Sequence, residues 1–183
     1  MTELACHVLS DRVDRLREMV SVGAGHAAGA LAALLDRPCW MDVPKVVRLS
    51  ASDTPESEAG AAAAFFEIEG SVRGTVAIRF PESTAARLGE RLLGPEHREA
   101  LRISALQEVA NILASHLIGA VGTLLATDLR PSVPVLVPRD GRSALEAVSA
   151  VRRSTGSVLR VETEVGDREG VYRIPVTFFP EGP

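Results

Sequence analysis

Residues 103–136, ISALQEVANILASHLIGAVGTLLATDLRPSVPVL, repeat residues 13–46, VDRLREMVSVGAGHAAGALAALLDRPCWMDVPKV, at a constant offset of 90 without a gap. Val13, Asp14, Leu16, Glu18, Ser21, Leu34, Leu35, Val43 and Pro44 align with Ile103, Ser104, Leu106, Glu108, Asn111, Leu124, Leu125, Val133 and Pro134. A fixed period of this kind marks one structural unit used twice. Within each copy the apolar residues recur at three- and four-residue intervals, which predicts long amphipathic helices over about 11–36 and 98–127. Prolines follow and prevent helical continuation, so the next stretches, about 39–49 and 131–137, are predicted strands.

Past this segment the copies diverge and meet again in two hairpins, about 63–80 and 157–179, where alternating apolar and polar residues favour strands. Gly70 and Gly74 of the first are set against Gly166 and Gly170 of the second, an offset of 96. An insertion between the copies accounts for the change, since connections tolerate added residues at small entropic cost. Ser52 to Gly60 reads as a polar loop, whereas Ser143 to Arg153 has the alanine and leucine content of a short helix. A connecting helix at about 82–93 starts after Pro81 and ends at Gly94 and Pro95. Pro175 would remove a ladder hydrogen bond, which predicts an edge or interrupted strand there. The expected fold is α+β, a single domain over 1–183 with half-repeats at about 11–80 and 98–179. Two long helices would pack on a six-stranded, largely antiparallel sheet with pseudo-twofold symmetry.

Twenty basic against 24 acidic residues give a net charge of −4, which disfavours a phosphate backbone as partner, so no nucleic acid is expected. With only 4% aromatic residues, stacking platforms are scarce as well, and the core must be mainly aliphatic. Cys6 and Cys39 stand apart with no CxxC spacing, which suits reduced thiols in the cytoplasm. No uninterrupted apolar run approaches the roughly 18 residues of a membrane span, so no membrane partner is expected. His26 and His116 have no metal-ligand companion at helical spacing, and no metal site is expected. Gly23 and Gly25 lack the third glycine and preceding strand of a dinucleotide fingerprint and suit close helix packing. Trp40, at the start of a strand, is expected in the core.

At 100° per residue, Leu106, Val109, Leu113, Leu117 and Leu124 fall on one side of the second long helix. Ser104, Glu108, Asn111 and Ser115 fall within roughly 60° of one another on the opposite side. The first helix repeats the row as Asp14, Glu18, Ser21 and Gly25. Periodicity alone makes such a row a solvated surface.

These same residues carry a resemblance to the CheC, CheX and FliY family of chemotaxis phosphatases. Its signature is Asp or Ser, three residues, Glu, two residues, Asn, then about 22 residues and Pro, and it reads here as Ser104, Glu108, Asn111 and Pro134. The first half carries Asp14, Glu18, Ser21 and Pro44 at the same spacing, and Val22 to Val46 resembles the segment that follows the first motif in CheC proteins. The resemblance implies a cytoplasmic hydrolase acting on the aspartyl phosphate of a phosphorylated CheY-like receiver, with no cofactor of its own and Mg2+ supplied by the receiver. It implies that Asn111 aligns the attacking water and that Glu108 pairs with the receiver's lysine. Ser104, Pro134 and Pro44 would shape the scaffold. Because Ser21 stands where the motif has asparagine, and its hydroxyl is shorter, Asp14, Glu18 and Ser21 read as a degenerate second site.

The resemblance also implies a competing role as an adaptor that binds CheD or a receiver with little hydrolysis. A structural role at the flagellar switch is less expected, since the FliY and FliM relatives carry a further C-terminal domain and this sequence ends at Pro183, just after its last hairpin.

Overall fold

The structure, a computed structural model, describes residues 3–48, 62–154 and 159–181. In chain order the elements are α1 (Glu3–Leu35), β1 (Cys39–Met41), β2 (Lys45–Arg48), β3 (Ala62–Gly70), β4 (Gly74–Phe80), α2 (Glu82–Leu93) and α3 (Glu99–Leu124). They continue with β5 (Leu129–Pro131), β6 (Val135–Val137), α4 (Gly141–Ser154), β7 (Leu159–Asp167) and β8 (Arg173–Pro180). The expected α+β class holds. The polar loop expected at Ser52 to Gly60 lies outside the described residues.

The sheet is antiparallel, in the order β1-β7-β8-β4-β3-β5, with β2 also on β7 and β6 also on β3. Eight strands stand where six were expected, because each predicted first strand is cut in two. Residues 42–44 separate β1 from β2, and residues 132–134 separate β5 from β6, yet both pieces of each pair keep the same neighbour. A proline within each break, Pro44 or Pro134, has no N–H to give the ladder. Pro175 lies in a central strand rather than at an edge. It faces Glu164 of β7, while the pairing of β8 with β4 begins only at Val176, so at that position one side of the strand has no partner in β4 to miss the bond.

The sheet order shows that the two copies are interlocked. β1 and β2 of the first half pair with β7 of the second, and β5 and β6 of the second half pair with β3 of the first. β4 and β8 join the hairpins at the centre. The register also corrects the glycine alignment. Cys39 faces Asp167 and its counterpart Leu129 faces Gly70, so Gly70 corresponds to Asp167, at an offset of 97, and not to Gly166. The second turn is longer, which places Gly170 inside it at φ 70° whereas Gly74 already belongs to β4.

The helices α1 and α3 cross over one face of this sheet. Their contact uses small side chains, Ala24, Ala27, Ala110 and Ala114, all fully buried, above Phe66, Val76, Ile78 and Phe178 from the strands. Gly23 marks the closest approach: a Cβ there would stand 2.8 Å from the Leu117 carbonyl oxygen. Gly25, by contrast, faces open space. Over Val13–Leu35, α1 is long and apolar enough to cross a membrane by length and composition, contrary to the expectation of no such stretch. Here Leu16, Val20, Leu31 and Leu35 are buried in the core. On the other face of the sheet α4 packs Leu145 and Val148 on Phe65, Ala77 and Phe179. Its Arg152 reaches Thr75, Glu67 and Glu181.

Buried charge fixes the end of α1 to the second hairpin. The Asp167 carboxylate, 1% exposed, accepts a 2.9 Å bond from the Tyr172 N–H and pairs with Arg37 at 3.1 Å. Arg37 also lies over the Tyr172 ring, 5.6 Å from its centre. Trp40 is half-buried rather than fully in the core, and its indole N–H donates to the Asp167 carbonyl at 2.8 Å. A polar handle at the ring edge favours this intermediate position.

Candidate functional site

α3 presents its motif residues one turn after another, and the break between β5 and β6 bends over them. Ser104, Gln107, Glu108 and Asn111 from the helix, with Pro131, Ser132, Val133 and Pro134 from the break, line one open groove of about 370 Å³. The motif's long spacing is thereby explained: the residues between Asn111 and Pro134 complete α3, turn, and return along the sheet edge as β5.

The break is pinned from beneath. Ser132 donates its N–H to the Glu67 carbonyl at 2.9 Å, and its hydroxyl accepts the Glu67 N–H at 3.0 Å. These bonds satisfy backbone groups that the interrupted ladder would leave open. They also fix Val133 and Pro134 opposite the helix. Near the start of α3, Arg102 bonds to both Glu99 and Glu82 at 2.8 Å, tying α2 to the first turns of α3. Hydrogen bonding from Arg102 lowers the Glu99 carboxyl below its usual range, and these bonds raise the Arg102 guanidinium above its own.

Ser104 turns its hydroxyl back to the Ala100 carbonyl at 3.1 Å, which gives it a helix-shaping place at the groove. Glu108 is exposed and Asn111 half-buried, and neither makes a hydrogen bond or ion pair among the described residues. A carboxylate and a carboxamide are thus held on a rigid helix, next to each other, with their hydrogen-bonding capacity unspent. The carboxamide offers donors and an acceptor without charge, and the carboxylate accepts from a cation. Sequence reasoning missed Gln107, Ser132 and Val133. Gln107 falls outside the motif spacing, and the bonds that seat the other two depend on β3, which is distant in the chain.

The first half builds a similar frame. The Asp42 N–H donates to the Glu164 carbonyl at 2.8 Å, the counterpart of the Ser132 bond, and Pro44 is buried. Asp14 is paired with Arg17 at 3.0 Å, Glu18 is exposed, and Ser21 is half-buried. His26 and His116 differ by the repeat offset and line one groove of about 730 Å³ between the two helices. Among the described residues no three His, Cys, Asp or Glu side chains gather to hold a metal.

No model of a protein family matches the chain. It is 30% identical over 184 residues to the CheY-P phosphatase CheC of Bacillus subtilis (strain 168), an alignment covering 94% of this chain and 88% of that protein. Its fold is similar to that of FliY from Thermotoga maritima, with a TM-score of 0.64 at 14% identity, covering 90% of this chain and 87% of that one. It is similar also to the CheX-CheY-BeF3-Mg complex from Borrelia burgdorferi, with a TM-score of 0.60 at 17% identity, covering 87% of this chain and 96% of the matched chain.

Proposed function

Since the chain belongs to the CheC family of chemotaxis proteins, we propose that it accelerates hydrolysis of the aspartyl phosphate on a phosphorylated CheY-like receiver, using Glu108 and Asn111. The observation that carries this is the groove in which α3 offers both side chains, free of internal partners, beside the loop that ends in Pro134. The similarity to a CheY-P phosphatase supports it, as does the likeness in fold to a CheX solved with CheY.

An acyl phosphate is already labile, so little covalent chemistry is left to the protein. Asn111 hydrogen-bonds the attacking water and aligns it with the phosphorus, and its neutral amide does not repel the phosphoryl oxygens as a second carboxylate would. Glu108, one turn earlier and more exposed, pairs with a cation of the receiver and fixes the docking angle. The receiver holds the Mg2+ that neutralises charge on the phosphoryl group. Orienting one water for a hundredfold gain requires only about 2.7 kcal/mol. In the first half Ser21 presents a shorter hydroxyl, so that half contributes little hydrolysis.

The test is phosphate release from a Mg2+-bound, phosphorylated CheY-type receiver in the presence of wild type and Glu108→Ala. Acceleration by wild type that is lost in Glu108→Ala supports the proposal. Receiver binding without acceleration would replace it with the adaptor role.

A further inference from the structure

We infer that Leu101 and Val133 form an apolar seat for the phosphorylated receiver beside Glu108 and Asn111, and that the first half, with a charge in place of Leu101, lacks the complete seat. The inference rests on the phosphatase reading of the groove and identifies which residues outside the motif hold the substrate there.

Val133 is 84% exposed and Leu101 52%. Singly exposed apolar residues need no explanation, but one in the lining of the groove and one on the helical line of Glu108 do. Val133 lines the groove itself, held between Ser132 and Pro134. Val135 is no part of it: it stands directly opposite Phe65, which packs with Leu145 and Val148 of α4, and so faces the other side of the sheet. Leu101 lies seven residues before Glu108, about 10 Å along the same line of α3. Past β6 the chain stays beside this end of the helix, where Arg139 reaches Glu99 at 3.9 Å.

The repeat supplies an internal control. At an offset of 90, the counterparts of Leu101 and Val133 are Asp11 and Val43, and Asp11 is an exposed charge. The loop backbones match, with Asp42 bonded to Glu164 as Ser132 is to Glu67. The fold therefore accepts charge at the position of Leu101. The copy with Asn111 carries both apolar residues; the copy with Ser21 carries one. Val133, a stiff side chain on a pinned loop, loses little entropy when a partner covers it, which suits a docking seat.

The experiment measures phosphate release against receiver concentration for wild type, the double variant Leu101→Ser/Val133→Ser, and Val151→Ser. Val151 is a control valine on α4, 60% exposed, across the sheet. The seat predicts an apparent KM raised about tenfold or more in the double variant, with kcat at saturation retained and the control unchanged. An unchanged KM, or a lower kcat at unchanged KM, would overturn the seat even if Asn111→Ala abolishes activity, and the phosphatase reading would then stand alone. Should wild type not accelerate release at all, that reading fails. Binding of a beryllofluoride-loaded receiver then decides the seat: weaker binding by the double variant supports it and equal binding overturns it.

Discussion

Alanine placed at two glycines of α1, two residues apart, should change stability by clearly different amounts. Both Gly23 and Gly25 lie inside the helix, where replacing glycine by alanine contributes about 1 kcal/mol of helix propensity. At Gly25 a Cβ meets nothing within 4 Å, so the gain is realised. At Gly23 the Cβ would stand 2.8 Å from the Leu117 carbonyl oxygen, 3.0 Å from Leu117 Cγ and 3.2 Å from Val121 Cγ2. The nearest of these is backbone, so relief requires α1 and α3 to move apart, and overpacking of this kind costs about 1–3 kcal/mol. The propensity gain is common to both variants, so the strain alone separates them. In a chain of this length each kcal/mol shifts Tm by about 2–4 °C. Thermal unfolding should thus place Gly25→Ala above wild type and Gly23→Ala roughly 4–8 °C below Gly25→Ala, for a strain of about 2 kcal/mol. Equal upward shifts in both variants would refute the close crossing of the two helices.

Asp167→Ala removes the acceptor of the Tyr172 N–H and the buried partner of Arg37, so urea unfolding should show a loss of about 1–3 kcal/mol. Asp167→Asn, which keeps an acceptor oxygen for Tyr172, should lose less. In an Asn111→Ala background, Ser21→Asn should restore little phosphate release, whereas adding Asp11→Leu should restore more, because both the amide and the seat are then present in the first half. Initial rates at subsaturating receiver would show the difference.

Much of the fold was legible because it depends on local signals repeated in the chain. The 90-residue offset, the apolar stripes of α1 and α3, and the residues that bound α2 and α4 follow from neighbours in sequence. The interlocking did not follow, because the pairing of β2 with β7 or β6 with β3 joins residues far apart in the chain and leaves no periodic trace. The mismatch at Gly70 and Gly166 has the same origin: glycines recur in tight turns of any register, and only the cross-strand partners fix equivalence. The row of Glu108 and Asn111 was readable from helical spacing. The loop that completes their groove was not, since Ser132 owes its place to the Glu67 backbone on β3.

The measurement that bears most directly on the account is the single-turnover loss of phosphate from a saturating Mg2+-bound, phosphorylated receiver, paired with binding of the beryllofluoride-loaded form. Wild type, Asn111→Ala and Ser21→Ala would be compared. The account predicts that Asn111→Ala falls to the receiver's own rate of hydrolysis while binding stays within a few-fold of wild type, and that Ser21→Ala retains wild-type rates. Wild-type turnover by Asn111→Ala, or loss of turnover in Ser21→Ala alone, would contradict the assignment of the chemistry to the second half.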